Sequence, residues 1–155
     1  MFIIKGINRI RGFELVKGAP SDTKLPARGT GKSCGYDFYA PHDIRIPAHG
    51  RSENIFLNIK AYMQEGEWLY LKIRSSLAIK HNIMLETSGV IDADYYSNVI
   101  NDGNISVLFR NHGDEDVLIK KGERCCQGIF LNYLPADKDM VLGRRKGGFG
   151  STGKE

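Results

Sequence analysis

The chain consists mainly of short segments in which polar and apolar residues alternate. This alternation over residues 43–47, 68–73 and 104–109 predicts strands with one buried face, and residues 117–120 and 128–134 are further strand candidates. Clusters of Gly, Asn, Asp and Pro separate these segments, as turns do. The spacing of short strands and turns predicts an all-β sandwich or barrel.

Only one segment has the pattern of a helix. Residues 75–80 are predicted to form one short helix with a serine as its cap. The stretch 19–33, rich in Gly, Pro and Lys, predicts a loop, and the residues after Leu142 form a second irregular segment. With no internal repeat evident, we expect a single domain over 1–155, whose first 32 residues contribute an edge strand and a loop.

Composition indicates an ordinary globular protein. The 155 residues are 41% hydrophobic and 26% charged, with a net charge of +4 whose basic residues are spread along the chain. We therefore expect no direct nucleic-acid binding. The apolar runs are too short for a membrane span or a signal peptide, which predicts a cytoplasmic protein without membrane association. Cys34, Cys125 and Cys126 have neither disulfide nor zinc spacing.

The C-terminal segment over residues 144–154 is glycine-rich and cationic, with one aromatic residue and adjacent hydroxyls. One interpretation is a solvated terminus. The other is a flexible segment that closes on a polyanion carrying a flat ring. Arg and Lys neutralise phosphate, Ser and Thr donate to its oxygens, and Phe149 supplies a stacking face.

Two carboxylates follow an apolar run near the middle of the chain. If residues 90–95 are extended, Asp92 and Asp94 share one face. A carboxylate at the end of an apolar run is a candidate general base, because partial burial raises its pKa towards useful values. The alternative is a turn, in which Asp is common.

Two weaker signals have equally open interpretations. Asp37 stands among apolar residues, where it could serve a metal-bound water or satisfy backbone donors. Arg74, Ser75 and Ser76 begin the predicted helix, where they could bind an anion or cap the helix.

The order of these signals is more specific than any one of them. Gly-Tyr-Asp-Phe-Tyr-Ala at 35–40, Arg-Ser-Ser-Leu-Ala at 74–78, Gly-Val-Ile-Asp-Ala-Asp-Tyr at 89–95, Gly-Glu-Arg-Cys-Cys-Gln at 122–127 and Gly-Gly-Phe-Gly-Ser-Thr-Gly at 147–153 occur in that order. They resemble the five motifs of the trimeric dUTP pyrophosphatase (dUTPase) family. The resemblance runs from about residue 33 to the end.

The resemblance implies a fold and an activity. The fold is a distorted jelly-roll β-barrel, assembled as a homotrimer whose active sites are shared between subunits. The activity is Mg²⁺-dependent hydrolysis of dUTP to dUMP and pyrophosphate, which keeps uracil out of DNA and supplies dUMP for thymidylate synthesis.

The resemblance also implies roles for the matched residues. Asp92 would activate a water for attack on the α-phosphorus, Tyr95 would pack under the deoxyribose and exclude a 2′-hydroxyl, and Asp37 would help place the metal through water. A mobile lid over 143–155 would close on the nucleotide, with Phe149 stacked on uracil. The other substrate-binding residues would be Arg74, Ser75, Ser76, Gln127, Arg144 at the γ-phosphate (with Arg145 as the alternative), Gly150, Ser151 and Thr152.

Several positions depart from the common family pattern. Residues 96–102 resemble the insertion of phage-type and related bacterial members, and Ser76 stands where Gly is usual. Uracil is expected to be read by the backbone of a hairpin between Ile83 and Gly89, and the part of Glu86 there is open. Cys-Cys-Gln replaces Ile-Ala-Gln in the fourth motif.

Two alternatives to dUTP hydrolysis follow. The related dCTP deaminases use a Glu on the strand after the third motif, whereas residues 105–110 carry no carboxylate. The other alternative is a nucleotide-gated protein that binds a regulatory partner, for which the insertion at 96–102 is the natural surface.

Overall fold

The computed structural model describes residues 9–86, 89–145 and 147–148. Short strands dominate the described part of the chain, together with one α-helix and one 3₁₀ helix. The helices are α1 (Ser75–His81) and the 3₁₀ helix Ala93–Tyr95. The strands are β1 (Gly12–Leu15), β2 (Ala27–Arg28), β3 (Tyr36–Tyr39), β4 (Ile44–Ile46), β5 (Ile55–Phe56), β6 (Ile59–Tyr62), β7 (Glu67–Ile73), β8 (Ile83–Leu85), β9 (Gly89–Asp92), β10 (Ser106–Val107), β11 (Phe109–Asn111), β12 (Val117–Ile119) and β13 (Arg124–Asn132).

All strand pairs are antiparallel. The largest sheet has five strands in the order β2-β3-β13-β7-β9, and four further pairs are β1 with β6, β5 with β10, β8 with β11, and β4 with β12. The prediction of an all-β architecture with one short helix is confirmed. Strand β1 lies within the N-terminal region where the sequence predicts an edge strand.

The alternation in β7 shows how the sequence builds the core. Leu69, Leu71 and Ile73 are buried, whereas Trp68 and Tyr70, which alternate with them, are half-exposed. Side chains along a strand alternate between faces, so one face of β7 packs inward and the other is left for the surface. Inward-facing residues of the paired strands complete one core, including Phe38, Ile44, Ile46, Ile55, Leu57, Ile59, Ile83, Ile105, Phe109 and Ile119.

The predicted serine cap of the helix is wrong. Arg74 occupies the N-cap position and no side chain caps the helix there, because β7 runs directly into α1. At the other end, Asn82 adopts a left-handed conformation, and its N–H closes the helix on the carbonyl oxygens of Leu77 and Ala78.

Three other local predictions need correction. The loop predicted over 19–33 contains β2, which pairs with the edge of β3. The strand predicted over 104–109 is split, because β10 pairs with β5 while β11 pairs with β8. Among the described residues of the hairpin predicted between Ile83 and Gly89, β8 and β9 pair with other strands, β8 with β11 and β9 with β7, while residues 87–88 lie outside the description.

Candidate active site

One face of the five-stranded sheet carries three of the predicted site residues. Asp37 on β3 lies opposite Gln127 on β13, and Asp92 on β9 lies opposite Trp68 on β7. Opposed residues of an antiparallel pair share a face, and alternation extends that face along each strand. We call this surface the outer face. Its members are Asp37, Trp68, Tyr70, Lys72, Val90, Asp92, Gln127, Ile129 and Leu131.

At one corner of the outer face, two arginines surround a carboxylate. Arg74 Nε lies 3.0 Å from Asp37 Oδ1, and Arg124 Nη1 lies 3.4 Å from Asp37 Oδ2. We call Asp37, Arg74, Arg124 and Gln127 the arginine corner. The Asp37 side chain is only 13% exposed, so this cationic pair is organised around a largely buried anion.

An open cavity of about 580 Å³ adjoins the arginine corner. Its donors are the guanidinium groups of Arg74 and Arg124 and the exposed hydroxyl of Ser76, while Ser75 is exposed in the same helical turn. Guanidinium and hydroxyl groups match the oxygens of a polyanion. The cavity is lined by Tyr39, Arg74, Ser76, Leu77, Gly122, Glu123 and Arg124.

Sequence reasoning missed Arg124. Arg124 and Gln127 are three residues apart, so simple alternation would place them on opposite faces of β13. A bulge between Arg124 and Cys126 adds a residue, and Arg124 then lies opposite Tyr39 while Gln127 lies opposite Asp37. Tyr39 and Asp37 are two apart on β3, so both β13 residues share the outer face. The bulge follows from how β13 pairs with β3, where the adjacent Cys125 and Cys126 are both buried, and nothing in the sequence indicates it.

The arginine corner fits a water-mediated metal better than a direct metal site. The described residues contain no group of three or more His, Cys, Asp or Glu side chains that could hold a metal ion. Each Asp37 oxygen faces one arginine, yet a carboxylate has about four lone-pair positions and keeps capacity for a water. Mg²⁺ usually retains several waters, so this donor set suits it.

A second corner of the outer face contains the candidate base. Asp92 is the last residue of β9, and the chain then turns into the 3₁₀ helix, so of the two interpretations of residues 90–95 the turn holds for Asp94. Both carboxylates nevertheless meet Arg145, which donates to Asp92 and, from Nε at 2.6 Å, to Asp94. Tyr95 is buried beside them, with the Arg145 guanidinium carbon 5.9 Å from its ring centre. We call these four residues the Asp92 corner.

The C-terminal segment reaches the Asp92 corner as far as it is described. A Cβ atom added to Gly148 would lie 3.0 Å from Cε2 of Tyr95, so the backbone there lies directly against the ring. Arg144 is exposed, whereas Arg145 enters the site. The predicted contacts of Phe149, Gly150, Ser151 and Thr152 lie outside the described residues.

Glu86 is engaged away from both corners. Its two carboxylate oxygens accept from Arg110 at 2.6 and 2.7 Å, in a bidentate pair. The hydrogen bonds from Arg110 hold the pKa of Glu86 below its ordinary value. Glu86 therefore joins the end of β8 to β11 rather than standing free in a hairpin.

Known proteins that resemble this chain point to one family. A family model described as dUTPase matches residues 21–153 of the chain. The chain belongs to the dUTPase family. A deoxyuridine 5′-triphosphate nucleotidohydrolase from Lactococcus lactis is 46% identical over 149 residues, covering 94% of this chain and 99% of the relative.

Solved dUTPase structures show the same fold. The dUTPase from Streptococcus mutans superposes with a TM-score of 0.74 at 39% identity, covering 81% of this chain and 98% of that one. A mutant dUTPase from phage phi11 of S. aureus, described as coordinating a structural Mg(II) ion, has a TM-score of 0.67 at 16% identity, covering 84% and 95%. The second likeness concerns the fold alone. The chain thus has the jelly-roll architecture of the dUTPases.

The described part of this dUTPase-family chain contains no helix that is long and apolar enough to cross a membrane.

Proposed function

We propose that this protein hydrolyses dUTP to dUMP and pyrophosphate. The observation that carries the proposal is the outer face, which holds a half-exposed carboxylate at one corner and two arginines around Asp37 at the other. Catalysis of phosphoryl transfer depends mainly on positioning the reactants and on neutralising charge. The carboxylate of Asp92 would position the attacking water, and the two arginines would neutralise charge on the phosphates. Membership of the dUTPase family indicates that the nucleotide is dUTP.

In the proposed reaction, Asp92 takes a proton from a water as its oxygen attacks the α-phosphorus. The bond from the α-phosphorus to the oxygen that bridges it to the β-phosphorus breaks, and pyrophosphate leaves with that oxygen. Arg74, Ser75, Ser76 and Gln127 donate to phosphate oxygens and hold the group in line. Tyr95 packs against the deoxyribose.

Mg²⁺ belongs to this proposal as a partner of the substrate phosphates. When bound, it neutralises the charge on the phosphate oxygens. Asp37 and Gln127 are the residues that would hold its waters, which accords with the capacity left on Asp37. The lid over 143–155 would order on binding and exclude water, with Phe149 on uracil and Arg144 at the γ-phosphate.

The distance between the two corners supports a site shared between subunits. From Asp37 to Asp92 the path crosses three strand spacings and runs four residues along β7, from Lys72 to Trp68. Strand geometry makes this about 20 Å. A base and the groups that grip the same phosphate must lie within hydrogen-bond reach of it, so one chain cannot supply both corners to one nucleotide.

The surface between the corners supports the same conclusion. Val90 and Leu131 are 56% and 40% exposed there, beside the half-exposed Tyr70 and Ile129. An apolar surface of this kind is typical of an interface between copies of a chain. We infer a homotrimer in which the Asp92 corner of one subunit meets the arginine corner of its neighbour.

Mixing two inactive variants tests the shared site. Asp92→Asn and Arg74→Ala should each be inactive alone, and subunit exchange between them should restore activity at about a quarter of the sites by random assortment. Restoration is expected only if the two corners come from different subunits. A mixture that stays inactive after exchange, verified by mass spectrometry of the intact complex, would refute sharing.

The reaction itself is tested by separating products on an ion-exchange column. The protein is incubated with Mg²⁺ and, in separate reactions, dUTP, dTTP, dCTP and UTP, with an EDTA control. Conversion of dUTP alone to dUMP and pyrophosphate, lost with EDTA, is the expected result. Release of a deaminated product from dCTP, or turnover of no nucleotide, would overturn the proposal. The relatives described above are nucleotidohydrolases, so the deaminase alternative is not favoured.

A further inference from the structure

The side chain of Tyr95 is held at its hydroxyl by the insertion at residues 96–102. The hydroxyl donates to the carbonyl oxygen of Asn104 at 3.0 Å and accepts from Nδ2 of Asn101 at 2.7 Å. The ring is only 6% exposed. Its backbone end is fixed by the 3₁₀ helix, so the two hydroxyl bonds fix the other end of the ring.

The orientation of the Asn101 amide follows from its other partners. The backbone N–H of Gly103 lies 3.1 Å from one amide atom, which must therefore be the oxygen, because a backbone N–H can only donate. Nδ2 of Asn98 donates to the same oxygen at 2.7 Å. The NH₂ group of Asn101 consequently faces Tyr95, and the hydroxyl is left to donate to Asn104.

Asn98 closes this network back onto Tyr95. Its oxygen accepts from the backbone N–H groups of Ile100 and Asn101, each at 3.1 Å. Its Nδ2 donates to the carbonyl oxygen of Tyr95 at 2.8 Å. The insertion is thus hydrogen-bonded to both the backbone carbonyl and the side-chain hydroxyl of Tyr95.

The insertion is itself anchored to the body of the protein. Asp102 accepts from Lys60 Nζ at 2.9 and 3.0 Å and from the backbone N–H of Lys17 at 2.8 Å. Gly103 has a φ of +77°, and a Cβ atom there would lie 2.8 Å from the carbonyl oxygen of Tyr95. The loop is therefore tightly packed against the residue that it holds, and it cannot shift without moving the ring.

We propose that Asn101 is a positioning residue that sets the sugar selectivity of this enzyme by fixing the ring of Tyr95. This inference rests on the proposed function, in which Tyr95 packs against the deoxyribose. A ring held at both ends presents a fixed surface to the sugar, so a 2′-hydroxyl cannot be accommodated by a small tilt. A ring freed at its hydroxyl can tilt and accept the ribonucleotide.

Asn101→Leu is the direct test, because Leu is close to Asn in size and has no polar atom to bond the hydroxyl. An Asp at this position would not serve, since the Tyr95 hydroxyl could donate to its carboxylate and stay held. The readout is the ratio of kcat/KM for dUTP to kcat/KM for UTP. Both substrates carry the same base and phosphates, so a general loss of activity acts on both alike and leaves the ratio unchanged.

The ratio is expected to fall about tenfold, through a gain with UTP as well as a loss with dUTP. Tyr95→Phe should lower the ratio to a similar extent, and the double variant should lower it no further. Val99→Thr, at a side chain that is 90% exposed, is the matched control within the insertion and should keep the wild-type ratio.

Several results would overturn the inference. One is an active Asn101→Leu variant with the wild-type ratio, and another is an equal loss with both substrates, which would indicate a structural role only. Should Asn101→Leu not fold, an unchanged ratio in Tyr95→Phe would refute the hydroxyl tether. Failure of the wild-type protein to hydrolyse dUTP would instead refute the proposed function, so the two failures are distinguishable.

Discussion

Arg145 donates a hydrogen bond to the carboxylate of Asp92. The arginine side chain is 14% exposed and the aspartate 49%. Arg145 also contacts Asp94, so its charge is shared between two carboxylates. In the proposed reaction Asp92 must also contact the attacking water. Arg145 bonds only to Oδ2 of Asp92, and a carboxylate has about four lone-pair positions, so Asp92 can accept from that water while the ion pair stays closed.

Replacing Asp92 by Asn should lower kcat by about 10²–10⁴-fold, the usual contribution of a general base. Binding of a non-hydrolysable dUTP analogue should stay near the wild-type level, because the amide keeps the shape of the carboxylate and loses its basicity. Kinetics and calorimetric titration measure the two effects.

Asp94→Asn is the matched control for the base, since it removes the other partner of Arg145 two residues away. It should retain most of the activity. Equal losses in the two variants would show that the ion pairs with Arg145 matter and that proton abstraction by Asp92 does not.

The two adjacent arginines should differ in their contact with the γ-phosphate. Arg144 is exposed and available, whereas Arg145 is engaged by Asp92 and Asp94. Arg144→Gln should weaken binding of the dUTP analogue by about tenfold or more, as expected for a charge-assisted hydrogen bond, while leaving dUMP binding unchanged. Arg145→Gln should affect both ligands alike. The reverse pattern would assign the γ-phosphate to Arg145.

Deleting residues 144–155 should lower kcat/KM at least about a hundredfold, because the stacking and phosphate contacts of the lid are lost together. The midpoint of thermal unfolding should move by less than about 2–4 °C, since the segment contributes nothing to the described hydrophobic core. Steady-state kinetics measures the change in kcat/KM, and differential scanning calorimetry measures the change in the unfolding midpoint. Full activity of the truncated protein would disprove the lid.

Much of this architecture is readable from single segments. The alternation over residues 68–73 predicts which side chains face the core, because the period of two holds in any sheet. Asp92 can be singled out because it ends an apolar run at a strand terminus. These features depend on neighbours in sequence. The order of the five motifs also indicates the family.

Other features depend on neighbours in space. The bulge in β13 moves Arg124 to the face of Gln127, and no residue pattern states that shift. The partner of β8 is β11 rather than β9, a choice made by packing. The loop that brings Asn101 to the hydroxyl of Tyr95 has positive φ angles at Ser97 and Asp102, which residue types alone do not specify.

Gly35 should be required for the position of Gln127. A Cβ atom at Gly35 would collide with Oε1 of Gln127, while one at Gly31 would meet nothing within 4 Å. Gly35→Ala should therefore displace the amide and lower kcat/KM about tenfold, the value of one hydrogen bond to a charged group, with little loss of stability. Gly31→Ala is the control with the same chemical change. A wild-type kcat/KM in Gly35→Ala would mean that Gln127 does not bind the phosphates.

The anchor of the insertion should make stability depend on pH in a defined window. Hydrogen bonds from the backbone of Lys17 and from Lys60 lower the pKa of Asp102 below its ordinary value. A carboxylate with a lowered folded-state pKa stabilises the protein fully above the unfolded pKa, about 3.9, and loses that contribution as pH falls through the folded value.

Asp102→Asn should consequently reduce the free energy of unfolding by about 1–3 kcal/mol at pH 7, the range for hydrogen bonds to a charged group. The difference from wild type should be full at pH 7 and smaller at pH 2, because the contribution of the Asp102 charge is lost as pH falls through its lowered pKa. Urea unfolding of the variant and the wild type at pH 7 and at pH 2 measures this difference in the free energy of unfolding. Asp114→Asn, at a carboxylate that is 93% exposed, should leave stability unchanged at either pH. A difference for Asp102→Asn that is equal at pH 7 and pH 2 would show that its charge does not anchor the insertion.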